Sequence, residues 1–288
     1  MMKKHEPFIQ AARIEFHKTL LSSLLTIDGK GVPSNADKDN KTSVAIARGI
    51  ADRLQAEIGE RIAAQSSGNQ FEELVARFVR ATFLKLPHLR PGKWDVHQVG
   101  NRNRAEIARY AQYSHLIALQ KAAHENPALA AALGNDYAIT PDVIVIRGLE
   151  DDKAINCSEY LVNEHVAMRA DLRDGENKSP LLHASISTKW TLRSDRAQNA
   201  RSEALNLIRN RKGRQPHIMV VVGEPTPSRL SSLALGTGDI DCVYHFALNE
   251  LIDSVRDLGN SEAEDMLMIM IGGKRLKDIS DLPIDLAV

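Results

Sequence analysis

The sequence predicts an α/β protein, a small central mixed sheet flanked by helices. Three segments predict the sheet. Residues 142–146 are short and, after Asp142, wholly apolar, the pattern of a strand buried on both faces. Residues 182–192 alternate: His183, Ser185, Ser187 and Lys189 share one face, and Leu182, Ala184, Ile186, Thr188 and Trp190 share the other. Residues 217–222, His-Ile-Met-Val-Val-Val, form a third strand.

Helices lie before and between these strands. Phe8, Ile9, Ile14, Phe16, Leu20, Leu21 and Leu24 give 8–25 an amphipathic helical pattern. Residues 28–42, rich in Gly, Asn, Asp, Lys and Ser, read as a loop. Val44, Ile46, Ala47, Ile50, Ala51, Leu54 and Ile58 follow the helical period, and Gln65-Ser-Ser-Gly-Asn69 is expected to break it. Phe71, Leu74, Val75, Phe78, Val79 and Phe83 start the next helix, which stops before Pro87. Residues 104–124 and 127–133 read as alanine-rich helices. A helix is predicted from Ser194 or Asp195 to Asn210, ended by Lys212-Gly213, another over 243–258, and a strand or short helix over 266–271. Segment 150–180 is charged and irregular and reads as an insertion or dimer-contact arm. With no marked boundary, 1–288 is read as a single domain.

Composition narrows the class. The net charge is zero, which argues against a protein held to nucleic acid by charge alone but leaves room for a sequence reader with a local basic surface. Cys157 and Cys242 are far apart with no paired spacing, against a disulfide framework or zinc knuckle and in favour of a reducing cytoplasm. The N-terminus lacks a signal peptide's apolar stretch, and no run approaches a membrane span, so no membrane partner is expected. Gly236-Thr-Gly-Asp lacks the third glycine of a dinucleotide fingerprint, and Asp28-Gly-Lys-Gly31 lacks the Ser or Thr of a phosphate loop. The histidines show no paired metal-ligand spacing, and His115 and His245 read as core or interface residues.

The chemistry-bearing residues are Asp142 at the entry of a strand behind Pro141, Lys189 on a second strand with Ser185 and Ser187 on its face, and Glu203 on the following helix. Phosphodiester hydrolysis needs an oriented water, charge relief on the phosphate and help for the leaving oxygen, and divalent cations held by carboxylates supply much of this. A lysine aimed at such a site stabilises charge or positions the attacking water. Glu72, placed in the first turn of the Phe71 helix, is a further acid. The helix start adds Arg193, Asp195 and Arg196: an arginine spans O6 and N7 of guanine, and an aspartate accepts from the cytosine amino group. The same residues also suit a capped helix start with intrahelical ion pairs. Arg196 and Glu203, seven residues apart, share a helix face about 10 Å apart along the axis. Residues 193–214 carry Arg193, Arg196, Arg201, Arg209, Arg211, Lys212 and Arg214 against Asp195 and Glu203, and Arg102 with Arg104 forms a smaller cluster. These read as phosphate contacts or, alternatively, as a solvated helix face.

Pro141-Asp142, Ser187-Thr-Lys189 and Glu203 together resemble the active site of type II restriction endonucleases that read a central CCGG. In the broader superfamily the residue two before the lysine is acidic. Here it is Ser187, with Glu203 supplying the acid from the helix. Ser34-Asn-Ala-Asp37, Gly100-Asn-Arg-Asn-Arg104, Glu106-Ile-Ala-Arg-Tyr110, Glu224-Pro-Thr-Pro-Ser-Arg229 and Gly273-Lys-Arg-Leu-Lys-Asp-Ile-Ser-Asp281 extend the resemblance over nearly the whole chain, to a member that cuts GCCGGC.

The resemblance implies a restriction-endonuclease-like PD-(D/E)xK core and cleavage of double-stranded DNA after the first G, leaving 5′ overhangs with 5′-phosphates. It implies two Mg²⁺ per active site, with Asp142 as the shared direct ligand, the Thr188 backbone carbonyl as an extra one, and Glu72 and Glu203 holding metal-bound waters. Lys189 would contact the scissile phosphate and attacking water, with Ser187 as a neighbour. Arg193, Asp195 and Arg196 would read the inner CCGG, Asp37 and Arg229 the outer G·C pair, and Gln65 the minor-groove side. It further implies a homotetramer built as a dimer of dimers and a cognate methyltransferase. Two other readings stay open: a structure-selective or repair nuclease of the same superfamily, and a non-cleaving DNA-binding regulator.

Overall fold

In a computed structural model of the chain, β1 (Trp94–Gln98), β2 (Val143–Arg147), β3 (Leu181–Lys189), β4 (His217–Val222), β5 (Cys242–His245) and β6 (Leu276–Asp278) form one sheet in chain order. The structure describes residues 6–56, 64–100, 106–133, 139–175, 179–192, 194–236 and 238–288, and of 64–66 and 194–196 the backbone alone. The first three strands pair antiparallel and the last four parallel, so the sheet is mixed. Parallel neighbours need crossovers. These are α7 (Ser194–Asn210) between β3 and β4, α8 (Pro227–Ala234) between β4 and β5, and α9 (Leu248–Asp257) with α10 (Ser261–Gly272) between β5 and β6.

The central strands are apolar because both faces are covered: Val143 to Val145, Leu182, Ala184, Ile186 and Val220 to Val222 are almost fully buried. α1 (Phe8–Ser23) and α3 (Ala64–Phe83) pack together, and α3 continues onto β1, β2 and β3. α2 (Lys41–Arg53) packs on α9, with its first turn capped by the Asn40 side chain, which accepts from the Thr42 and Ser43 amides. Cys157 and Cys242 are both free thiols. Among the described residues no helix is long and apolar enough to cross a membrane.

Several boundaries differ from the sequence reading. The second helix ends at Arg53, and Gln55 takes a left-handed φ of 61°. Gln65 to Asn69, expected to break a helix, lies inside α3. An internal Gly costs only about 1 kcal/mol, and the burial of Phe71, Leu74, Val75, Phe78 and Val79 outweighs it. The 104–124 helix is broken up: two single 3₁₀ turns (Ile107–Arg109 and Ala111–Tyr113) precede α4 (Leu116–Glu125), with α5 (Pro127–Leu133) after it. Tyr110 is extended, and tertiary bonds hold it there. The Ala111 amide donates to the Pro180 carbonyl, and the Gln112 side chain bonds both backbone groups of Leu182. Segment 243–258 splits into β5 and α9, a four-residue strand being too short to show a period of its own. Residues 266–271 fall inside α10. β1, α6 (Asp152–Ile155), α8, β6 and α11 (Leu282–Asp285) were not anticipated.

The alternation of β3 also fails at one residue. The ladder with β2 slips between Val145 and Ile146, which skips His183. That imidazole packs on Phe83 of α3, Trp94 and His217, whereas Ser185 and Ser187 face α7.

Gly223, directly after β4, closes on the end of β3. Its amide donates to the Lys189 carbonyl at 2.9 Å. A Cβ there would lie 2.4 Å from the Trp190 ring and 2.6 Å from the Trp190 carbonyl oxygen. Gly223→Ala is therefore expected to cost about 1–3 kcal/mol in urea unfolding. A variant as stable as the parent would contradict this close approach.

Candidate active site

The register of β2 against β3 places Val143 opposite Ile186. One step further, Asp142 stands opposite Ser187, on the same face of the pair. Asp142 is buried, and its Oδ2 gathers donors from the end of β3. The Thr188 amide donates to it at 2.6 Å, Lys189 Nζ at 3.3 Å, Thr188 Oγ1 at 3.3 Å, and Ser187 Oγ lies 3.4 Å away. Oδ1 accepts nothing from the described residues. Lys189 Nζ also donates to Ser187 Oγ at 2.8 Å, and Ser187 Oγ lies 3.3 Å from Glu203 Oε2. A hydroxyl carries one hydrogen, so Ser187 accepts from the lysine and gives its own proton to one carboxylate at a time.

Glu203 is brought in by α7. Ala200, Ala204 and Leu207 bury one stripe of this helix, and the two alanines, spaced i and i+4, let it lie close over β3 and β4. Glu203 then lines a small cavity with Pro141, Ser185, Ser187, Ile218 and Val220. Glu72 reaches the same region from α3, where it sits well inside the helix and not in a first turn. It is buried and receives Gln98 Nε2 at 3.4 Å.

The electrostatics follow from crowding three carboxyls around one ammonium. Burial, and then the Asp142 charge, push the Glu72 carboxyl up to about 6, against an ordinary 4.5. Burial also raises Glu203, with Lys189 opposing and Asp142 reinforcing the shift. Among the described residues no three His, Cys, Asp or Glu side chains stand close enough together to hold a metal ion jointly. Asp142, Glu72 and Glu203 supply carboxylate oxygens, the donor type a hard divalent cation takes. In extended chain a residue's N–H and C=O lie on the same edge. The Thr188 carbonyl thus opens on the side where its amide meets Asp142.

Asp142, Ser187, Thr188, Lys189 and Glu203 come together directly, and Glu72 joins through charge and burial. Asp37, in the loop before α2, and Arg229, in α8, form an ion pair. The Arg193 residue and the side chains of Gln65, Asp195 and Arg196 lie outside the described residues, as do Arg102 and Arg104. The basic run is not one solvated face: Arg209, Lys212 and Arg214 are exposed, while Arg201 packs on Gly236 and Arg211 bonds the Ile208 carbonyl. Two polar residues were given no role of their own by the sequence reading. Gln98 had no signal because β1 was not legible. Glu224 is a lone acid after an apolar strand, and its carboxylate accepts the Leu192 amide at 2.9 Å and the Thr226 amide at 3.1 Å.

The profile of the NgoMIV restriction enzyme family matches residues 16–288. The type II restriction enzyme NgoMIV of Neisseria gonorrhoeae is 62% identical over 283 residues, 98% of this chain and 99% of that protein. Among solved structures, the type IIF restriction endonuclease Bse634I with cognate DNA is similar over 89% of this chain and 92% of that one, at 14% identity and a TM-score of 0.39. The pre-specific endonuclease BsaWI–DNA complex covers 72% of this chain and 65% of that one, at 10% identity and a TM-score of 0.33. These two structural likenesses are too distant to carry an argument.

The charge coupling between Asp142 and Glu72 is testable in the metal-free protein. Asp142→Asn should lower the Glu72 carboxyl from about 6 toward its ordinary 4.5, read by ¹³C carboxyl titration. An unchanged or higher value would contradict the coupling.

Proposed function

The chain belongs to the NgoMIV restriction enzyme family of type II restriction endonucleases, and from that premise we propose that it hydrolyses double-stranded DNA at GCCGGC, after the first G, leaving 5′ overhangs with 5′-phosphates. The observation that carries the chemistry is the junction of Asp142, Ser187, Lys189 and Glu203 at the end of β3. The six-base site comes from the sequence resemblance. It is supported by an acid and an arginine, Asp37 and Arg229, already paired beside the Leu192 end of the base-reading turn.

Water attacks the scissile phosphorus in line with the 3′ oxygen. The P–O3′ bond breaks, the 3′ oxygen leaves as a hydroxyl, and the phosphate stays on the 5′ side. Lys189 faces the phosphate, offsets its developing charge and orients the attacking water. Two Mg²⁺ ions, when bound, stabilise the attacking and leaving oxygens. Asp142 and the Thr188 carbonyl would hold them directly, and Glu72 and Glu203 would fix their waters. Arg193, Asp195 and Arg196 read the inner CCGG, Asp37 and Arg229 the outer pair, and Gln65 the minor-groove side. The exposed arginines and lysine at the end of α7 hold phosphates.

A palindromic site calls for a two-fold assembly. We assign the chain to a tetramer of two dimers, with segment 150–180 as the contact arm of a single endonuclease domain. Tyr160, Leu161, Val166, Met168 and Leu172 expose apolar surface there. A methyltransferase of the same specificity protects the host DNA in the cytoplasm.

Digestion of a sequenced plasmid with Mg²⁺, followed by mapping of the ends, tests the reading. Cuts confined to GCCGGC and abolished by EDTA are expected. Cutting of branched or unrelated DNA would favour another nuclease of the superfamily, and tight metal-independent binding without scission would favour a regulator. Asp142→Ala should lose cleavage and keep specific binding in Ca²⁺; retained cleavage removes Asp142 from its role. Arg193→Ala or Arg196→Ala should erode the preference for CCGG by about 1–3 kcal/mol, and equal weakening at all sequences would remove the base-reading role.

A further inference from the structure

We infer that Glu224 is a positioning residue for sequence recognition, holding Arg229 and the base-reading turn as one rigid unit. The inference rests on the assignment of Arg229 and Asp37 to the outer base pair.

Glu224 is only 1% exposed, and its carboxylate faces Leu192, Thr226 and Arg229. One carboxylate oxygen accepts the Leu192 amide at 2.9 Å, and Leu192 immediately precedes Arg193. The other accepts the Thr226 amide at 3.1 Å, which fixes the entry into α8. Arg229, three residues on, brings Nη1 within 3.7 Å of the first oxygen. The same Nη1 donates to the Leu192 carbonyl at 3.1 Å, while Nη2 pairs with Asp37. The buried carboxylate thus braces one side of Arg229, whose side chain is 30% exposed.

The surrounding backbone closes the unit. The Gly223 amide donates to the Lys189 carbonyl, and the Gly223 carbonyl accepts from Asn35 Nδ2 at 2.8 Å, two residues before Asp37. The Glu224 carbonyl accepts from His245 Nε2 at 3.2 Å, and His245 Nδ1 accepts from the Ala247 amide at 3.1 Å, so the imidazole is neutral. Outer-pair reader, inner-pair turn and catalytic lysine are therefore joined through residues 223–226. A mismatch that displaces Arg229 pulls on Leu192 and, through Gly223, on Lys189.

Glu224→Gln keeps the shape but removes the charge behind Arg229 and turns an amino group toward either Leu192 or Thr226. The test compares single-turnover cleavage of GCCGGC duplexes with duplexes altered only at the outer pair, for the parent, Glu224→Gln, Arg229→Ala and the double variant. The parent is expected to discriminate. Glu224→Gln should lose tenfold or more of that discrimination, and the double variant should discriminate no less than Arg229→Ala alone, because the two act through one guanidinium. Should Glu224→Gln not fold, Glu224→Asp, which retracts the carboxylate by one methylene, carries the same expectation. A drop equal at every duplex, an unchanged ratio, or additive losses in the double variant would overturn the inference. A parent that ignores the outer pair would instead overturn the reading on which it rests.

Discussion

The site depends on how the Asp142 carboxylate is buried. A charge taken out of water is tolerated only where hydrogen bonds replace the lost solvent. Here the end of β3 supplies them, chiefly the Thr188 amide at 2.6 Å. That bond continues the β2–β3 pairing by one side-chain step past the ladder. It also decides which atoms are left for chemistry: Oδ2 takes the donors from Thr188, Lys189 and Ser187, while Oδ1 has no donor from the described residues. Lys189 and Asp142 are thereby held at 3.3 Å without neutralising the site, because Glu203 and Glu72 add two further carboxyls.

That imbalance explains the raised carboxyls. Glu72, pushed up to about 6, and Glu203, raised by burial, hold protons at pH values where exposed glutamates are ionised. In the metal-free protein the protonated form of Glu72 favours the fold below pH 4.5, and this contribution is lost as pH rises through about 6. A divalent cation bound by these carboxylates would favour their ionised forms, so its binding would be coupled to proton release and weaken as pH falls.

How much of this was legible depended on the length of the pattern that carried it. Asp142 and Lys189 could be read because one directly precedes and the other ends strands of five and nine residues with clear patterns. Glu203 could be read because α7 keeps its 3.6 period across 17 residues. Glu72 was found for its residue type but placed in the wrong turn, since Gln65 to Asn69 carries break signals that tertiary packing overrides. β1 was invisible: Val96 is its only fully buried residue, and charged and polar neighbours hide the strand. The flip of His183 was equally unreadable, because a bulge is set by pairing with a partner strand and not by the alternating strand itself. Glu224 shows the limit most plainly. Its partners Leu192 and Arg229 are near in space and distant or unpatterned in sequence.

Lys189→Met keeps an unbranched apolar stem and removes the ammonium that joins Asp142 to Ser187. Single-turnover cleavage of a GCCGGC duplex, measured beside specific binding in Ca²⁺, isolates the chemical step from recognition. Cleavage should fall on the order of 10²–10³-fold or more while binding stays within a few-fold, as for removal of a charge-stabilising donor. Cleavage at the parental rate would contradict the assignment of the β3 terminus as the reaction centre.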